Sequence, residues 1–388
     1  MQKRILTTHV GSLVRPPELV ALLKRALETD KAVPGLEECL KKSVAEVVRQ
    51  QIDVGIDIVS DGEFGKSISW SRYVLERMNG FEQRKEAHTQ VGMPKGIKGK
   101  DHRDFSEFYA EYDTTQNFVG MSGWVVTGPI TYKPEAIKRD IAALKDAIGK
   151  SGVTGFIPSV SPTSVAPDRE DQHYKNNEEY LFAIADAIRE EYKVVIDAGF
   201  ILQVDDAYMA STYDLMVPPG TLGDYRKWAQ VRVEAINHAL RGLPEDRIRY
   251  HMCWGSWNGP HTNDLALKDV VDLLLQIRAG GYSLEMANPR HEHEWRVWES
   301  TELPDGKTLV PGVISHCTNV VEHPELVAER LVRLAKLVGP DRIIASTDCG
   351  FAQGPFTRRV HPSIMWAKLR ALVEGAQLAT KELWKRAA

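Results

Sequence analysis

The sequence predicts an α/β protein, a closed (β/α)8 (TIM) barrel with an inserted segment between its second and third strands. Three observations support this fold class: eight short apolar runs of β-rich composition, a polar tip after each run, and amphipathic helical segments between most of them. Strands that alternate with helices indicate a parallel sheet, and eight such repeats indicate a closed barrel. A length of 388 residues suits one barrel with insertions.

The expected elements follow one another in a regular order. The predicted strands are 5–10, 57–61, 155–160, 201–205, 248–253, 282–286, 311–316 and 342–347. The predicted helices are 36–54, 176–198, 220–241, 267–279, 323–337 and 363–384. Gly55 and Gly199 lie just past two helix ends, where glycine adopts the left-handed cap most cheaply.

We interpret residues 1–388 as a single barrel catalytic domain that carries an insertion over residues 64–154. Within the insertion, residues 92–116 are polar, charged and glycine-containing, and we expect them to pass over the barrel mouth. Residues 124–132 have strand character and are assigned to a β-hairpin outside the barrel, because including them would give nine strands. A second irregular stretch, 287–310, is rich in His, Glu and Trp, and such long loops are usually functional.

Composition excludes several classes of protein. A formal charge of −4 gives no reason to expect nucleic acid or an anionic membrane as a partner. No apolar run approaches 18 residues, and the N-terminal residues lack the apolar core of a signal peptide. Four cysteines do not form a disulfide framework, so a reducing cytoplasm is expected, where a Cys near a His and a Glu suggests a metal ligand or a reactive group. The oligomeric state is not indicated.

The residues that follow the strands carry the chemistry, because a barrel of this kind places its active site at the carboxyl ends of its strands. The tips are Gly11-Ser12, Asp61-Gly62-Glu63, Ser159 with Ser161, Asp205-Asp206, His251-Met252-Cys253, Glu285, His316-Cys317 and Asp348-Cys349. Asp, Gly and Ser are ordinary where a strand meets solvent. Three Cys, two His and a Glu on four tips are not ordinary.

A metal site is predicted from His251, Cys253, Glu285 and Cys349. Residues i and i+2 on a strand point to the same side, so His251 and Cys253 can reach one ion. Glu285 ends the next strand and Cys349 ends the last one. Two thiolates, an imidazole and a carboxylate suit tetrahedral zinc. The alternative is a cysteine packed as a small apolar group, with the histidine capping its strand.

The chain resembles the catalytic C-terminal half of cobalamin-independent methionine synthases and the single-barrel proteins related to them. The matching stretches are Thr7-Thr8-His9-Val10-Gly11-Ser12, Ser60-Asp61-Gly62-Glu63, Leu202-Gln203-Val204-Asp205-Asp206, His251-Met252-Cys253, Gly312-Val313-Ile314-Ser315-His316 and Thr347-Asp348-Cys349-Gly350. They occur in the same order and span nearly the whole sequence.

This resemblance implies roles for individual residues. The zinc ligands of the family fall on His251, Cys253, Glu285 and Cys349, and its acid or gating histidine falls on His316. Its contacts to the amino acid substrate fall on Ser12, Glu63 and Asp205. The sequence departs from the synthases at Asp206, where they carry Glu, and the stretch 159–165 has no counterpart of the tryptophan that helps to hold their pterin. The methyl donor therefore need not be methyl-folate.

Zinc chemistry explains why these residue types would serve a thiol. A free thiol is mostly protonated at neutral pH, and zinc binding deprotonates it. Two thiolates and a carboxylate leave the site electron-rich, which keeps a bound thiolate nucleophilic. We hypothesise that Glu285 gives way to the substrate sulfur and that His316 protonates the leaving group as a general acid. Glu63 and Asp205 would pair with the ammonium group of an acceptor such as homocysteine. The alternative for His316 is a structural residue at a strand end. The alternative for Glu63 and Asp205 is that they are solvated or cap helices.

The leading interpretation is a zinc-dependent S-methyltransferase that forms methionine or a similar thioether. Its substrates would be a small-molecule thiol and an alkyl donor, and a corrinoid protein is one possible donor. One alternative is alkyl transfer to another thiol, such as coenzyme M, from an epoxide or an aryl methyl ether. Basic residues in the acceptor pocket (Arg15, Lys66 or Arg72) would favour such a carboxylate or sulfonate thiol. Further alternatives are a non-enzymatic zinc- or corrinoid-binding partner protein and a uroporphyrinogen-type decarboxylase.

Overall fold

Eight parallel strands form the barrel predicted from the sequence. The computed structural model describes residues 3–29, 32–67, 69–84, 98–112, 123–166 and 169–385. The strands are β1 (Leu6–Thr7), β2 (Ile58–Val59), β3 (Met78–Arg84), β4 (Gly123–Tyr132), β5 (Thr154–Val160), β6 (Glu170–Asp171), β7 (Ile201–Asp206), β8 (Ile248–Met252), β9 (Gly281–Glu285), β10 (Thr308–Ile314), β11 (Ile344–Thr347), β12 (Ala352–Gly354) and β13 (Thr357–Arg358). The barrel sheet has the order β1-β11-β10-β9-β8-β7-β5-β2.

Helices cover the outside of the sheet. They are α1 (Pro17–Leu27), α2 (Leu36–Val54), α3 (Tyr73–Glu76), α4 (Lys100–Asp104), α5 (Ser106–Tyr112), α6 (Glu135–Ile148), α7 (Pro162–Val165), α8 (Asn177–Asp197), α9 (Tyr208–Met216), α10 (Leu222–Leu240), α11 (Val271–Leu274), α12 (Pro324–Val338) and α13 (Pro362–Lys385). Shorter 3-10 turns cover Glu245–Arg247, Leu267–Asp269, Glu292–Glu299 and Pro340–Arg342. None of the helices in the described part of the chain combines the length and the apolar character that crossing a bilayer requires.

The two edge strands of the sheet meet and nearly close the barrel. The backbone N–H of Asp57 donates to the carbonyl of Thr7 at 3.2 Å, and the Asp57 carboxylate accepts from the Thr7 N–H at 2.9 Å. Arg4 forms two further bonds to the same carboxylate, at 2.7 and 2.8 Å. These contacts join β1 to β2, so the (β/α)8 barrel with an insertion after its second strand is confirmed.

The insertion contributes β3 and β4 of a small sheet and the helices α3 to α6. β3 and β4 pair antiparallel, and β6 adds to β4 in parallel. Of the stretch 92–116, residues 98–112 form α4 and α5, and the rest lies outside the described residues. The carboxylate of Asp101 accepts from the His261 N–H at 3.1 Å, and the Tyr109 hydroxyl accepts from Trp257 at 3.0 Å. Both contacts attach α4 and α5 to the loop that follows β8, at the carboxyl end of the barrel.

The predicted helix over 267–279 is wrong beyond its first turns, and α1 and α6 were missed. Only Leu267–Asp269 and Val271–Leu274 are helical. The Leu267 N–H is bound by the Glu294 carboxylate at 2.6 Å, and the Arg278 N–H is bound by the Asn237 side chain at 2.8 Å. The first contact caps the start of the helical turns, and the second gives the Arg278 N–H a partner outside any helix. Both partners are distant in sequence, so the apolar periodicity alone could not show where this helix ends.

A buried carboxylate joins the insertion to the barrel. Glu191, on α8, is fully buried and accepts from the Tyr73 and Ser159 hydroxyls, each at 2.6 Å, and from the Tyr132 hydroxyl. Arg77 lies 3.6 Å from the same carboxylate and 2.5 Å from Asp140. The donors come from α3, β4, β5 and the residue before β3, so one side chain holds four segments together.

Replacing Glu191 with alanine should lower the stability of the protein by about 3 kcal/mol, because buried donors would lose their acceptor and a buried cation would lose a partner. The shift in the midpoint of urea-induced unfolding measures this. Glu190→Ala is the matched control, since the exposed Glu190 pairs only with exposed Lys193. Equal shifts for the two variants would contradict the role assigned to Glu191.

Candidate metal centre

The strand register places the predicted ligands side by side. β7 and β8 run in parallel with Asp205 opposite His251, and β8 and β9 pair with His251 opposite Ser283. Cys253 comes just after β8, and its N–H donates to the Asp206 carbonyl at 2.9 Å, which continues the ladder by one residue. Because neighbouring parallel strands end at the same edge, the side chains of these residues meet inside the barrel mouth.

Three of the four predicted metal ligands lie together. One ligand atom from each of His251, Cys253 and Cys349 lies within 4.8 Å of the others, and the two Sγ atoms are 3.5 Å apart. In the described part of the chain, this is the one group of His, Cys, Asp and Glu side chains that meets this spacing. His251 and Cys253 are buried, and Cys349 comes directly after the strand end at Thr347-Asp348.

His251 is oriented by one ring nitrogen and open at the other. Its Nδ1 lies 3.2 Å from the Ser283 hydroxyl and 3.3 Å from the Ser283 carbonyl oxygen. Its Nε2 is buried without a hydrogen-bond partner among the described residues. Burial and the charge of Arg249 lower the pKa of His251 to about 3, so the ring is neutral and its free nitrogen can serve as a ligand.

The sulfur atoms have polar neighbours that sequence reasoning missed. The Ser256 hydroxyl lies 3.2 Å from the Cys349 Sγ and 3.7 Å from the Cys253 Sγ. The Gly255 N–H donates to the Cys253 Sγ at 3.3 Å. Gly255 has a φ of +99°, and a Cβ there would lie 1.9 Å from the Trp257 ring, so this position requires glycine. The Trp-Gly-Ser-Trp sequence directly after Cys253 was the available signal.

This donor set fits a divalent metal ion. Hydrogen bonding to Cys349, burial, and the charges of Cys349 and Glu285 raise the pKa of the Cys253 thiol well above 9. The Cys253 thiol, 3.5 Å from a second sulfur and with a carboxylate nearby, therefore resists ionisation unless a cation joins the group. The unpartnered Nε2 of His251 lies in the same group. Two sulfurs and an imidazole nitrogen suit zinc, and three protein ligands leave a position for a substrate.

Glu285, the fourth predicted ligand, is next to this cluster but not part of it. The Trp254 N–H donates to its Oε1 at 3.0 Å. Asn288 and Arg290 donate to its Oε2 at 2.8 and 3.0 Å. The carboxylate is fully buried and every oxygen has a partner, so the side chain must exchange some of these bonds if it is to bind a metal ion.

Asp348 fixes the geometry between the last strand and Glu285. Its Oδ1 accepts from the backbone N–H groups of Met286 and Ala287, at 2.8 and 2.9 Å, and its Oδ2 accepts from Asn288 at 3.0 Å. Gly312 makes this approach possible, because a Cβ there would lie 2.4 Å from Asp348. Cys349, the next residue, is thereby held against the tips of β8 and β9.

His316, the predicted acid, lies in the same mouth. It is fully buried, its Nε2 is 3.0 Å from the Cys317 Sγ, and its Nδ1 has no hydrogen-bond partner within the described ranges. Burial holds its pKa well below 6.5, and Arg290 and Arg359 lower the pKa further. The ring is therefore neutral at rest, with one nitrogen available to a substrate. Cys317 itself is not in the metal cluster.

The predicted acceptor residues form a second, charged cluster. Glu63 Oε2 is 3.1 Å from the Nζ of Lys66, and both side chains are buried. The Asp205 carboxylate accepts a hydrogen bond from Gln203 at 2.7 Å. Burial raises the pKa of Asp205; the positive charge of Lys66 lowers it, and the negative charge of Glu63 raises it further. Glu63 also has a φ of +62°, a conformation that is costly for any residue but glycine and that persists mostly where function requires the side chain.

Ser12 connects the acidic cluster to the thiols. A Cβ on Gly350, the residue after Cys349, would lie 1.9 Å from the Ser12 hydroxyl, and a Cβ on Gly11 would lie 2.6 Å from Glu63 Oε1. The chain at residues 11 and 12 therefore contacts Glu63 on one side and the tip of β11 on the other. All of the sequence-predicted site residues thus lie at one mouth of the barrel.

The other candidates have structural partners. Trp254 is buried and donates to the Leu265 carbonyl at 2.6 Å. His291, in the His-rich stretch 287–310, contacts Asp264 at 3.1 Å and Glu294 at 2.8 Å through its two ring nitrogens, so it is not free to bind a metal ion. Arg15 lies against the backbone of Glu63 and Lys66, and burial lowers its pKa to about 10.

The chain is similar in sequence to proteins of known function. The sequence is 25% identical over 413 residues to a 2-hydroxypropyl-CoM lyase from Xanthobacter autotrophicus, covering 98% of this chain and 96% of that protein. It is 23% identical over 383 residues to a methionine synthase from Sulfolobus acidocaldarius, covering 98% and 94%.

Among solved structures, a B12-independent methionine synthase from Shewanella sp. W3-18-1, in complex with selenomethionine, has the same fold. It superposes with a TM-score of 0.72 at 22% identity, covering 98% of this chain and 99% of that one. The model of the family described as "Cobalamin-independent synthase, Catalytic domain" matches residues 126–377. This chain therefore belongs to the cobalamin-independent synthase catalytic-domain family.

Proposed function

We propose that this protein is a zinc-dependent thiol alkyltransferase that methylates an amino acid thiol of the homocysteine type. The observation that carries the proposal is the group of two thiols and an unpartnered imidazole nitrogen within 4.8 Å, beside a cluster of opposite charges. Membership of a family of thiol methyltransferases supports the reaction class.

His251, Cys253 and Cys349 would hold the metal ion. Zinc bound there would deprotonate the acceptor thiol and keep the resulting thiolate nucleophilic at neutral pH. Ser283 fixes the ring of His251, and the Gly255 N–H and the Ser256 hydroxyl spread negative charge away from the cysteine sulfurs. These bonds would keep the three ligands in place while a substrate binds at, or leaves, the fourth coordination position.

The charged cluster would hold the head group of the acceptor. Glu63 and Asp205 would bind an ammonium group, and Lys66, now paired with Glu63, would bind the carboxylate of the same molecule. Ser12 lies between this cluster and the tip that carries Cys349. An acceptor anchored there would extend its sulfur towards the thiol cluster, which shortens the search for the reactive geometry.

The reaction would form a sulfur–carbon bond while the bond from that carbon to the leaving atom breaks. The acceptor thiol gives up its proton on binding, and the leaving group takes up one proton, so the balance is one thioether and one protonated leaving group. His316 would supply this second proton from its ring, because it has one nitrogen free at the mouth. Since its pKa lies well below 6.5, it must gain a proton when the donor binds.

The cysteine ligands are tested by removing them singly. Cys253→Ser and Cys349→Ser should lower zinc affinity by more than about 100-fold and abolish thiol-dependent turnover, with an unchanged circular dichroism spectrum. Zinc content after dialysis is the measurement. Cys39→Ala is the control, because Cys39 packs in the core on α2, remote in sequence from the site, and should keep its zinc. Full zinc content in either serine variant would refute the metal centre.

The open position is tested by X-ray absorption at the zinc edge. The resting protein should show two sulfur neighbours, and added acceptor thiol should raise this number to three. Glu285, held by Trp254, Asn288 and Arg290, is proposed to keep these partners and leave the position to the thiol. An unchanged sulfur count at saturating thiol would reject direct binding of the acceptor.

The head group is tested with a matched pair of thiols, homocysteine and 4-mercaptobutanoate, which differ only in the amino group. Cobalt-substituted protein reports sulfur binding by its colour, so both dissociation constants are measurable without a donor. Homocysteine should bind at least about tenfold more tightly, and Glu63→Gln should remove this preference while leaving 4-mercaptobutanoate nearly unaffected.

A second function is favoured by one specific observation. Lys66 already neutralises Glu63, which also suits an acceptor with a negative head group, as in the coenzyme M thiol named for the Xanthobacter relative. In that case 2-mercaptoethanesulfonate should bind the cobalt protein more tightly than homocysteine, and Lys66→Met should weaken it most. This ranking of affinities would reject an amino acid thiol as the acceptor, but it would not contradict the proposed metal centre.

A further inference from the structure

A second polar cavity adjoins the thiol cluster, apart from the Glu63 side. Its volume is about 230 Å³, and it is lined by Tyr112, Ser256, Asn258, Cys317, Arg358 and Arg359. Neither Glu63, Lys66 nor Asp205 contributes to this lining. The two clusters therefore offer separate places for two substrates.

The cavity opens onto both groups that the proposed reaction uses. Ser256 lines it and lies 3.2 Å from the Cys349 Sγ. Cys317 also lines it and lies 3.0 Å from the Nε2 of His316. A molecule in this cavity would be in contact with the immediate neighbours of the metal ligands and of the acid.

The charge of the lining is positive. Among the described residues, the lining contains two arginines and no carboxylate. Arg359 is half-buried and is fixed by its Nε, which donates to Gln353 at 2.8 Å, and by its backbone N–H, which donates to the Phe351 carbonyl at 2.9 Å. Within the described residues, no hydrogen bond or ion pair engages the terminal nitrogens of Arg359 or the guanidinium of Arg358.

We infer that this cavity binds the negatively charged group of the alkyl donor, with Arg358 and Arg359 as its counter-charges. The inference rests on the proposed function and adds the chemical class of the donor: a carboxylate, sulfonate or phosphate ester rather than a neutral or cationic methyl compound. A guanidinium binds such oxyanions through two parallel hydrogen bonds, and a partly enclosed site strengthens this attraction. The cavity holds the charged group and a short chain, while the acceptor keeps the Glu63 side.

This arrangement would give the two substrates different binding places near the reacting sulfur. The acceptor sulfur would attack the donor carbon from the side of Ser12, and the bond to the leaving atom would break on the side of Cys317. His316 lies against Cys317, so it is next to the leaving atom that must take up a proton. The anionic group, held by the arginines, would set the distance of that carbon from the sulfur.

Cys317 provides a probe of the cavity that does not depend on turnover. Its thiolate can displace iodide from iodoacetate, which is anionic, or from iodoacetamide, which is neutral and of similar size. Peptide mass spectrometry of the zinc-loaded protein gives the rates at which the two reagents alkylate Cys317. The measured quantity is the ratio of the iodoacetate rate to the iodoacetamide rate, compared with the same ratio for N-acetylcysteine amide. The ratio cancels the ionisation of the thiol, which is equal for both reagents.

The ratio of the iodoacetate rate to the iodoacetamide rate at Cys317 should exceed that of the model thiol by about tenfold. Arg358→Gln and Arg359→Gln should each lower this ratio at least about threefold. Added salt should weaken the preference for iodoacetate. Arg370→Gln, an exposed arginine on α13 outside the lining, removes the same charge and should leave the ratio unchanged. Equal ratios in the native protein and both cavity variants would overturn the inference.

A second measurement decides the matter if Cys317 reacts with neither reagent. Sulfate should raise the melting temperature of the zinc-loaded protein above the value measured in chloride at equal ionic strength. This increase should vanish in the double variant Arg358→Gln, Arg359→Gln and persist in Arg370→Gln. An increase that is identical in all three proteins would show only the general effect of sulfate and would reject the site. Zinc content and thiol binding in the same samples report separately on the proposed function.

Discussion

Everything at the barrel mouth depends on one constraint: two cysteine thiols and one neutral imidazole are held together where water cannot solvate their charges. The sulfurs are 3.5 Å apart, the Nε2 of His251 has no protein partner among the described residues, and the pKa of the Cys253 thiol is raised well above its usual value. Such a group is unfavourable by itself and becomes favourable around a cation. The surrounding bonds, from Ser283, Gly255 and Ser256, make sense as support for that cation.

The barrel supplies the rigidity that this constraint requires. Register between β7, β8 and β9 brings Asp205, His251 and Ser283 into line, and Asp348 ties the last strand to the β9 tip through three hydrogen bonds. The ligands therefore come from two strand ends, His251 and Cys253 from β8 and Cys349 from β11, of the same closed sheet. Chemistry at the fourth position can change without moving the frame, since the supporting bonds do not pass through that position.

Two charged places lie at the mouth. Glu63 and Asp205 lie with Lys66 in one cluster, and Arg358 and Arg359 line a cavity that shares no residue with that cluster. Two substrates that differ in charge would thus be sorted before they react, and neither would occupy the place of the other. Glu63 retains a left-handed backbone conformation at this site, and the cost of that conformation is consistent with a carboxylate that is kept for binding rather than for folding.

The sequence by itself determined the eight strands, the family resemblance and the set of polar tips, because strand ends and i, i+2 spacing are local properties that periodicity reveals. It also placed His251, Cys253 and Cys349 at one site. Only the tertiary structure decided what surrounds them: that Glu285 is held by Asn288 and Arg290, that Ser256 touches both sulfurs, and that Lys66 pairs with Glu63. The same holds for the end of the helix predicted over 267–279, where the Arg278 N–H is bound by the Asn237 side chain instead of a helical carbonyl. These partners are distant in sequence or fixed by loop geometry, so no local pattern encodes them.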